Sequence, residues 1–140
     1  MAKPQFADIQ AAVTDGRTRN VYYRQTQLLR LHKNLVQEAD NIITVIKSDT
    51  GNSRTEAIVE YSLALSVLKE RNAELDPEQE LRDEYSVAKG QDAARTRVGV
   101  GVVFIQAQTE HTPFFSVIAP LSAAIAAGNC VIIQVRYPDQ

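Results

Sequence analysis

Two stretches decide the fold: residues 98–105, Val98-Gly99-Val100-Gly101-Val102-Val103-Phe104-Ile105, and residues 130–135, Cys130-Val131-Ile132-Ile133-Gln134-Val135. Both are rich in β-branched side chains and carry no charge. Their apolarity is continuous rather than alternating, which predicts strands over 98–106 and 130–135 buried on both faces. Between them, Thr112-Pro113 is a helix-start signal and residues 114–127 are helix-compatible. Pro120 removes one backbone hydrogen bond from that helix and predicts a bend. Gly128-Asn129 ends it. Strand, helix, strand is a βαβ unit, so the strands are expected to run parallel with a right-handed crossover.

Upstream the pattern turns helical. Phe6, Ile9 and Val13 predict a short amphipathic helix closed at Asp15-Gly16, where glycine suits the left-handed cap conformation. Leu28, Leu31, Leu35, Ile42, Val45 and Ile46 mark one long helix over 20–48, and Leu29, Val36 and Ile43 widen its apolar face. After the turn at residues 49–52, Ser53-Arg54-Thr55-Glu56 has the form of a capping box. It opens a second long helix, to about residue 75, antiparallel to the first. Asp76-Pro77 starts a short acidic helix to about Tyr85, and residues 86–97 form a connector. The fold class is therefore α/β but mainly helical. Residues 1–140 are expected to be a single domain, with a helical part at 1–85 and a βαβ part at 98–136.

Composition narrows the function. Fifteen Lys and Arg against seventeen Asp and Glu give a net charge of −2, which argues against nucleic acid as a partner. One cysteine excludes an intramolecular disulfide and a Cys-rich zinc site. The two histidines, His32 and His111, are too far apart in sequence to suggest a metal centre. The start lacks the apolar run of a signal peptide. The apolar stretch at 114–127 is shorter than the roughly 20 residues a membrane span needs. A cytoplasmic protein without a membrane span is the expectation.

The ordered set Gly101-Val102-Val103-Phe104-Ile105, Thr112-Pro113-Phe114-Phe115 and Ala123-Ala124-Ile125-Ala126-Ala127-Gly128-Asn129-Cys130-Val131-Ile132 resembles the first βαβ unit of aldehyde dehydrogenases. Upstream, Gly16-Arg17-Thr18-Arg19, Arg24-Gln25-Thr26-Gln27-Leu28, Asp49 and Glu56 resemble the N-terminal helices of the family's fatty-aldehyde, dimeric branch. The likeness covers nearly all of this chain but about the first third of the family's catalytic unit. The nucleophilic cysteine and the glutamate base of the family fall beyond residue 140, so the resemblance implies a truncated aldehyde-dehydrogenase-like domain.

Within the matched region the ligand-facing positions differ. His111 stands where the family's asparagine holds the substrate oxyanion. Thr109-Glu110 replaces the preceding Pro-Trp. Gln134 replaces the lysine that contacts the cofactor ribose, and Val135-Arg136 follows where the family has Pro-Ser. The packing residues persist while the ligand-facing ones change. That pattern implies loss of NAD(P)-dependent aldehyde oxidation, with no cofactor expected.

Two readings of function follow. One is a non-redox pseudo-enzyme or association module, expected to form a homo-oligomer, most simply a two-fold dimer, because exposed strand edges invite pairing. The other is a repurposed, cofactor-independent biosynthetic enzyme (an isomerase, cyclase or dehydratase) acting on a small-molecule ligand, with His111 as acid–base group and Glu110 assisting. A closed apolar pocket around His111 would favour the enzyme, and a flat apolar surface the association module. A solvated loop histidine is the plainer reading of His111. Cys130 reads as a structural cysteine, and Gly99 and Gly101 as packing positions, since no G-x-G-x-x-G follows the strand. Arg17, Arg19 and Arg24, and separately Arg95 and Arg97, read as solvated or ion-paired basic clusters. Tyr22, Tyr23 and Tyr61 are expected to border the core with their hydroxyls reaching the surface.

Overall fold

The computed structural model describes residues 6–92 and 98–135. Among these residues are six α-helices, a 3-10 turn and a two-stranded parallel sheet. In chain order these are α1 (Phe6–Thr14), the 3-10 turn Arg17–Arg19, α2 (Val21–Gln37), α3 (Ala39–Thr50), α4 (Arg54–Ala73), α5 (Pro77–Ala88), β1 (Val102–Gln106), α6 (Pro113–Ala126) and β2 (Cys130–Gln134). The strands pair in parallel, Val102 opposite Cys130 through Gln106 opposite Gln134, with α6 as the connection. The mainly helical α/β fold and the βαβ unit are as the sequence predicts.

Local chemistry sets the helix ends. Gly16 follows α1 at φ 73, a conformation that glycine adopts without steric cost. The Asn20 side chain accepts from the amides of Tyr22 and Tyr23 at the start of α2. Ser53 accepts from the Glu56 amide, and Glu56 reaches back to the Ser53 amide, completing the capping box of α4. That backbone bond from Ser53, with the hydroxyl bond beside it, holds the Glu56 carboxyl below its ordinary range. Asp76 accepts from the amides of Glu78 and Gln79, with Pro77 in the first helical turn.

The single helix expected over 20–48 is two helices, interrupted at Glu38 (φ −98, ψ 16). The break separates two packing units. Val21 and Leu28 of α2 pack with Ala64 and Leu68 of α4 and Ile118 of α6 in one core cluster. Ile43 and Ile46 of α3 pack with Ala57 and Tyr61 of α4 in another. The interruption falls between the residues that serve the two clusters, so α2 packs in the first and α3 in the second. The other bounds shift less. The helix expected to reach about residue 75 ends at Ala73, and the acidic helix continues to Ala88, into the expected connector.

The strands need a larger correction. Strand geometry covers 102–106 rather than 98–106. At its start Gly101 has φ 114, donating its amide to Asn129 Oδ1 while its carbonyl accepts from the Cys130 amide. Nor are the strands buried on both faces. Ile105 is 5% exposed, but Val102 is 41% and Phe104 59% exposed. Among the described residues the sheet has two strands, so these apolar side chains lack the further strands and facing layer that cover a parallel sheet. Pro120 sits inside α6 without ending it.

Leu68 is 1% exposed at the centre of the first cluster. Leu68→Ala is expected to cost about 2–5 kcal/mol through lost burial and the cavity left behind. Urea unfolding followed by circular dichroism measures it, with an unchanged denaturant slope showing that the fold is retained.

Candidate functional site

Helix α6 lies between two buried charges of opposite sign. At its N-terminus, Glu60 Oε1 accepts from the amides of Phe114 (2.9 Å) and Phe115 (3.1 Å). At its C-terminus, Arg24 Nη1 donates to the Ala126 carbonyl at 2.7 Å. Glu60 is 6% exposed and Arg24 8%. Each charge complements the partial charge of the helix end that it meets. Arg24 also donates to the Arg19 carbonyl and pairs with Glu80 of α5, joining α2, the 3-10 turn, α5 and α6. Tyr61, next to Glu60, stacks on Phe114 with ring centroids 5.9 Å apart. Its hydroxyl donates to the Leu35 carbonyl at 2.9 Å rather than reaching the surface, and burial pushes its pKa up.

The loop from β1 to α6 is tied to this helix start. The Gln108 amide donates to Ser116 Oγ at 3.0 Å, Ser116 Oγ donates to the Pro113 carbonyl at 2.9 Å, and the Ser116 amide donates to the Thr112 carbonyl at 2.9 Å. His111 and Glu110 lie on the outer bend of this loop, both exposed. Neither side chain is hydrogen-bonded to another described residue. The structure therefore places both at the carboxyl edge of β1, where the sequence puts them, but forms no enclosed site around them.

The larger cavity lies elsewhere. A groove of about 1120 Å³ separates α5 from the C-terminal end of α6, with Arg24, Arg71, Glu74, Glu80 and Asp83 among its lining residues. A second space, about 200 Å³, lies between α2 and α4 beside His32 and Asn72. Neither is lined by His111 or Glu110. Cys130 is half-buried at the start of β2, and Gln134 is exposed at its end. Among the described residues no three His, Cys, Asp or Glu side chains come together as a metal site.

Of the two glycines read as packing positions, Gly99 serves packing, whereas Gly101 answers to its φ of 114, since a Cβ there would meet only Val13 at 3.7 Å. A Cβ on Gly99 would meet the Gly128 carbonyl oxygen at 2.5 Å. The solvated basic cluster is only partly so. Arg17 is exposed and paired with Asp15, whereas Arg24 is buried and structural. Arg95, Arg97 and Arg136 lie outside the described residues. Glu60 escapes the sequence reading altogether, though a signal exists. It falls in phase with Ala57, Tyr61, Ala64 and Leu68 on the buried face of α4, as Arg24 does with Val21 and Leu28 on α2. A charge at a core position predicts a buried partner.

The βαβ unit follows the capped helices, and its helix runs into Ala126-Ala127-Gly128-Asn129. The family model for the aldehyde dehydrogenases matches residues 5–137, and the chain belongs to the aldehyde dehydrogenase family. Searches of curated proteins and of solved structures each give no match. No helix among the described residues is long and apolar enough to cross a membrane.

Arg24→Lys keeps the charge but loses the planar fork that serves three partners at once. It is expected to cost about 1.5–3 kcal/mol. Arg54→Lys, in an exposed pair with Asp40, is expected to change stability by less than about 1 kcal/mol. Parallel denaturant titrations of the two variants check the contrast.

Proposed function

We propose that this chain is a non-redox member of the aldehyde dehydrogenase family. It has lost NAD(P)-dependent oxidation, derives from the fatty-aldehyde, dimeric branch, and works by association as a homodimer in the cytoplasm, with residues 1–140 acting as one domain. The observation that carries the reading is the open sheet: Val102 and Phe104 stand exposed on β1, with Ile133 partly exposed on β2 and Val98 and Val100 beside them. Apolar patches of this kind mark interfaces.

The changes at the ligand-facing positions support the loss of redox chemistry. Gln134 has no positive charge to offer a nucleotide, and His111 and Glu110 replace the asparagine and tryptophan of the family pattern. The surroundings of His111 favour association over a repurposed isomerase, cyclase or dehydratase. Its side chain is exposed, and both cavities lie away from it. An acid–base catalyst needs its substrate held within hydrogen-bond reach, and an exposed bend supplies no such enclosure.

Light scattering at micromolar concentration is expected to give twice the mass of one chain. Phe104→Asp is expected to give the monomer mass with an unchanged circular-dichroism spectrum, because the side chain is already 59% exposed. A monomer for the unaltered chain overturns the association reading.

Calorimetry with NAD and with NADP is expected to show no saturable binding below about a millimolar, roughly −4 kcal/mol. Micromolar binding of either overturns the loss of redox function.

A further inference from the structure

We infer that the cleft between α2 and α4 is a binding site for a small neutral molecule with an apolar body and two hydroxyl groups, one for His32 and one for Asn72. The inference does not rest on the association reading, since every residue that lines the cleft belongs to the helical layer and none to the sheet.

Six residues line the cleft, three from each helix at the same spacing: Leu28, Leu29 and His32 of α2, and Leu68, Lys69 and Asn72 of α4. Leu28 and Leu68, 0% and 1% exposed, form an apolar floor, and the exposed Leu29 and Lys69 form the rim. The two helices run antiparallel. Gln25 Nε2 donates to the Leu75 carbonyl at 3.1 Å, and the Tyr61 hydroxyl donates to the Leu35 carbonyl at 2.9 Å. His32 and Asn72, each one turn beyond its leucine, therefore come to the floor from opposite ends. His32 Nε2 and Asn72 Oδ1 are both buried, and neither has a hydrogen-bond partner. A buried polar atom without a partner costs stability, so two of them in one cleft define the positions that a ligand's polar groups fill.

The chemistry of the two atoms selects the ligand. Asn72 Oδ1 only accepts, whereas an imidazole nitrogen donates or accepts according to tautomer. The ligand must therefore donate to Asn72, which a hydroxyl does and a carboxylate cannot. Lys69, the one residue of the six with a fixed positive charge, sets the rim against a cationic amine. The cleft has a volume of about 200 Å³. An apolar cavity of about 150 Å³ holds benzene, and a water molecule occupies about 30 Å³. The space thus takes a substituted ring and is too large for a single bridging water.

Resorcinol, phenol and benzene carry two, one and no hydroxyl groups on the same ring. Nuclear magnetic resonance titration of the full chain, read at the His32 ring and the Asn72 side-chain amide, is expected to show saturable shifts with resorcinol. Affinity is expected to fall at least about tenfold from resorcinol to benzene, with phenol between them. His32→Phe and Asn72→Leu each replace an unpartnered atom by apolar surface. Both are expected to weaken resorcinol and leave benzene binding undiminished, with no fall in melting midpoint.

No saturable shift with resorcinol, the result if the cleft holds water alone, overturns the inference. So does benzene binding as tightly as resorcinol, which reduces the cleft to an apolar gap. Resorcinol affinity unchanged in both variants places the ligand elsewhere and overturns it as well. If a variant does not fold, the three-ligand comparison in the unaltered chain decides alone. A monomeric chain that binds resorcinol in this order removes the association reading and leaves this result intact.

Discussion

The fold depends on how α6 is held. A helix in the middle of a βαβ unit presents two ends whose backbone groups lack intrahelical partners. Here those ends are met by buried side chains from other helices: Glu60 of α4 at the first turn and Arg24 of α2 at the last. Each bond is charge-assisted and shielded from water, where such bonds are strongest. The two contacts fix both the position of α6 and its direction, since exchanging the charges would set each against the helix dipole. The rest of the helical layer is arranged around the donors of these two charges.

Helix α4 is the common element. Ala64 and Leu68 serve the first core cluster and Ala57 and Tyr61 the second, with Glu60 between Ala57 and Tyr61 in sequence. Small residues at 57 and 64 bring neighbouring helices close, and Tyr61 spans the gap to Phe114 by ring stacking and to Leu35 by its hydroxyl. The interruption at Glu38 belongs to the same arrangement. It lets α2 reach α6 through Arg24 while α3 packs lower on α4.

Much of this was legible from residues alone. The capping box at Ser53 and Glu56, the Asp76-Pro77 start and the two strands rest on local rules, and local rules hold where the chain satisfies its own backbone. The division at Glu38 was not legible, because the apolar residues of 20–48 form one broad face whichever way the helix runs; which of them meets which neighbour is a tertiary fact. Exposure of Val102 and Phe104 was hidden for a different reason. Continuous apolarity reports what a strand is suited to, not how many layers are present to cover it. For the candidate site, the sequence placed His111 and Glu110 on the correct loop but said nothing of enclosure. It passed over Glu60 because an isolated glutamate in a helix is ordinarily solvent-facing.

Asn129 ties the first strand to the helix. Its Oδ1 accepts from the Gly101 amide, and its Nδ2 donates to the Ala124 carbonyl at the end of α6. One side chain thus joins the entrance of the first strand to the exit of the helix, across 28 positions of chain. Closing a loop of that length loses entropy before any strand-to-strand bond forms to offset it. The pairing of the strands and the end of the helix are therefore coupled through one amide, so a change at Asn129 reaches both.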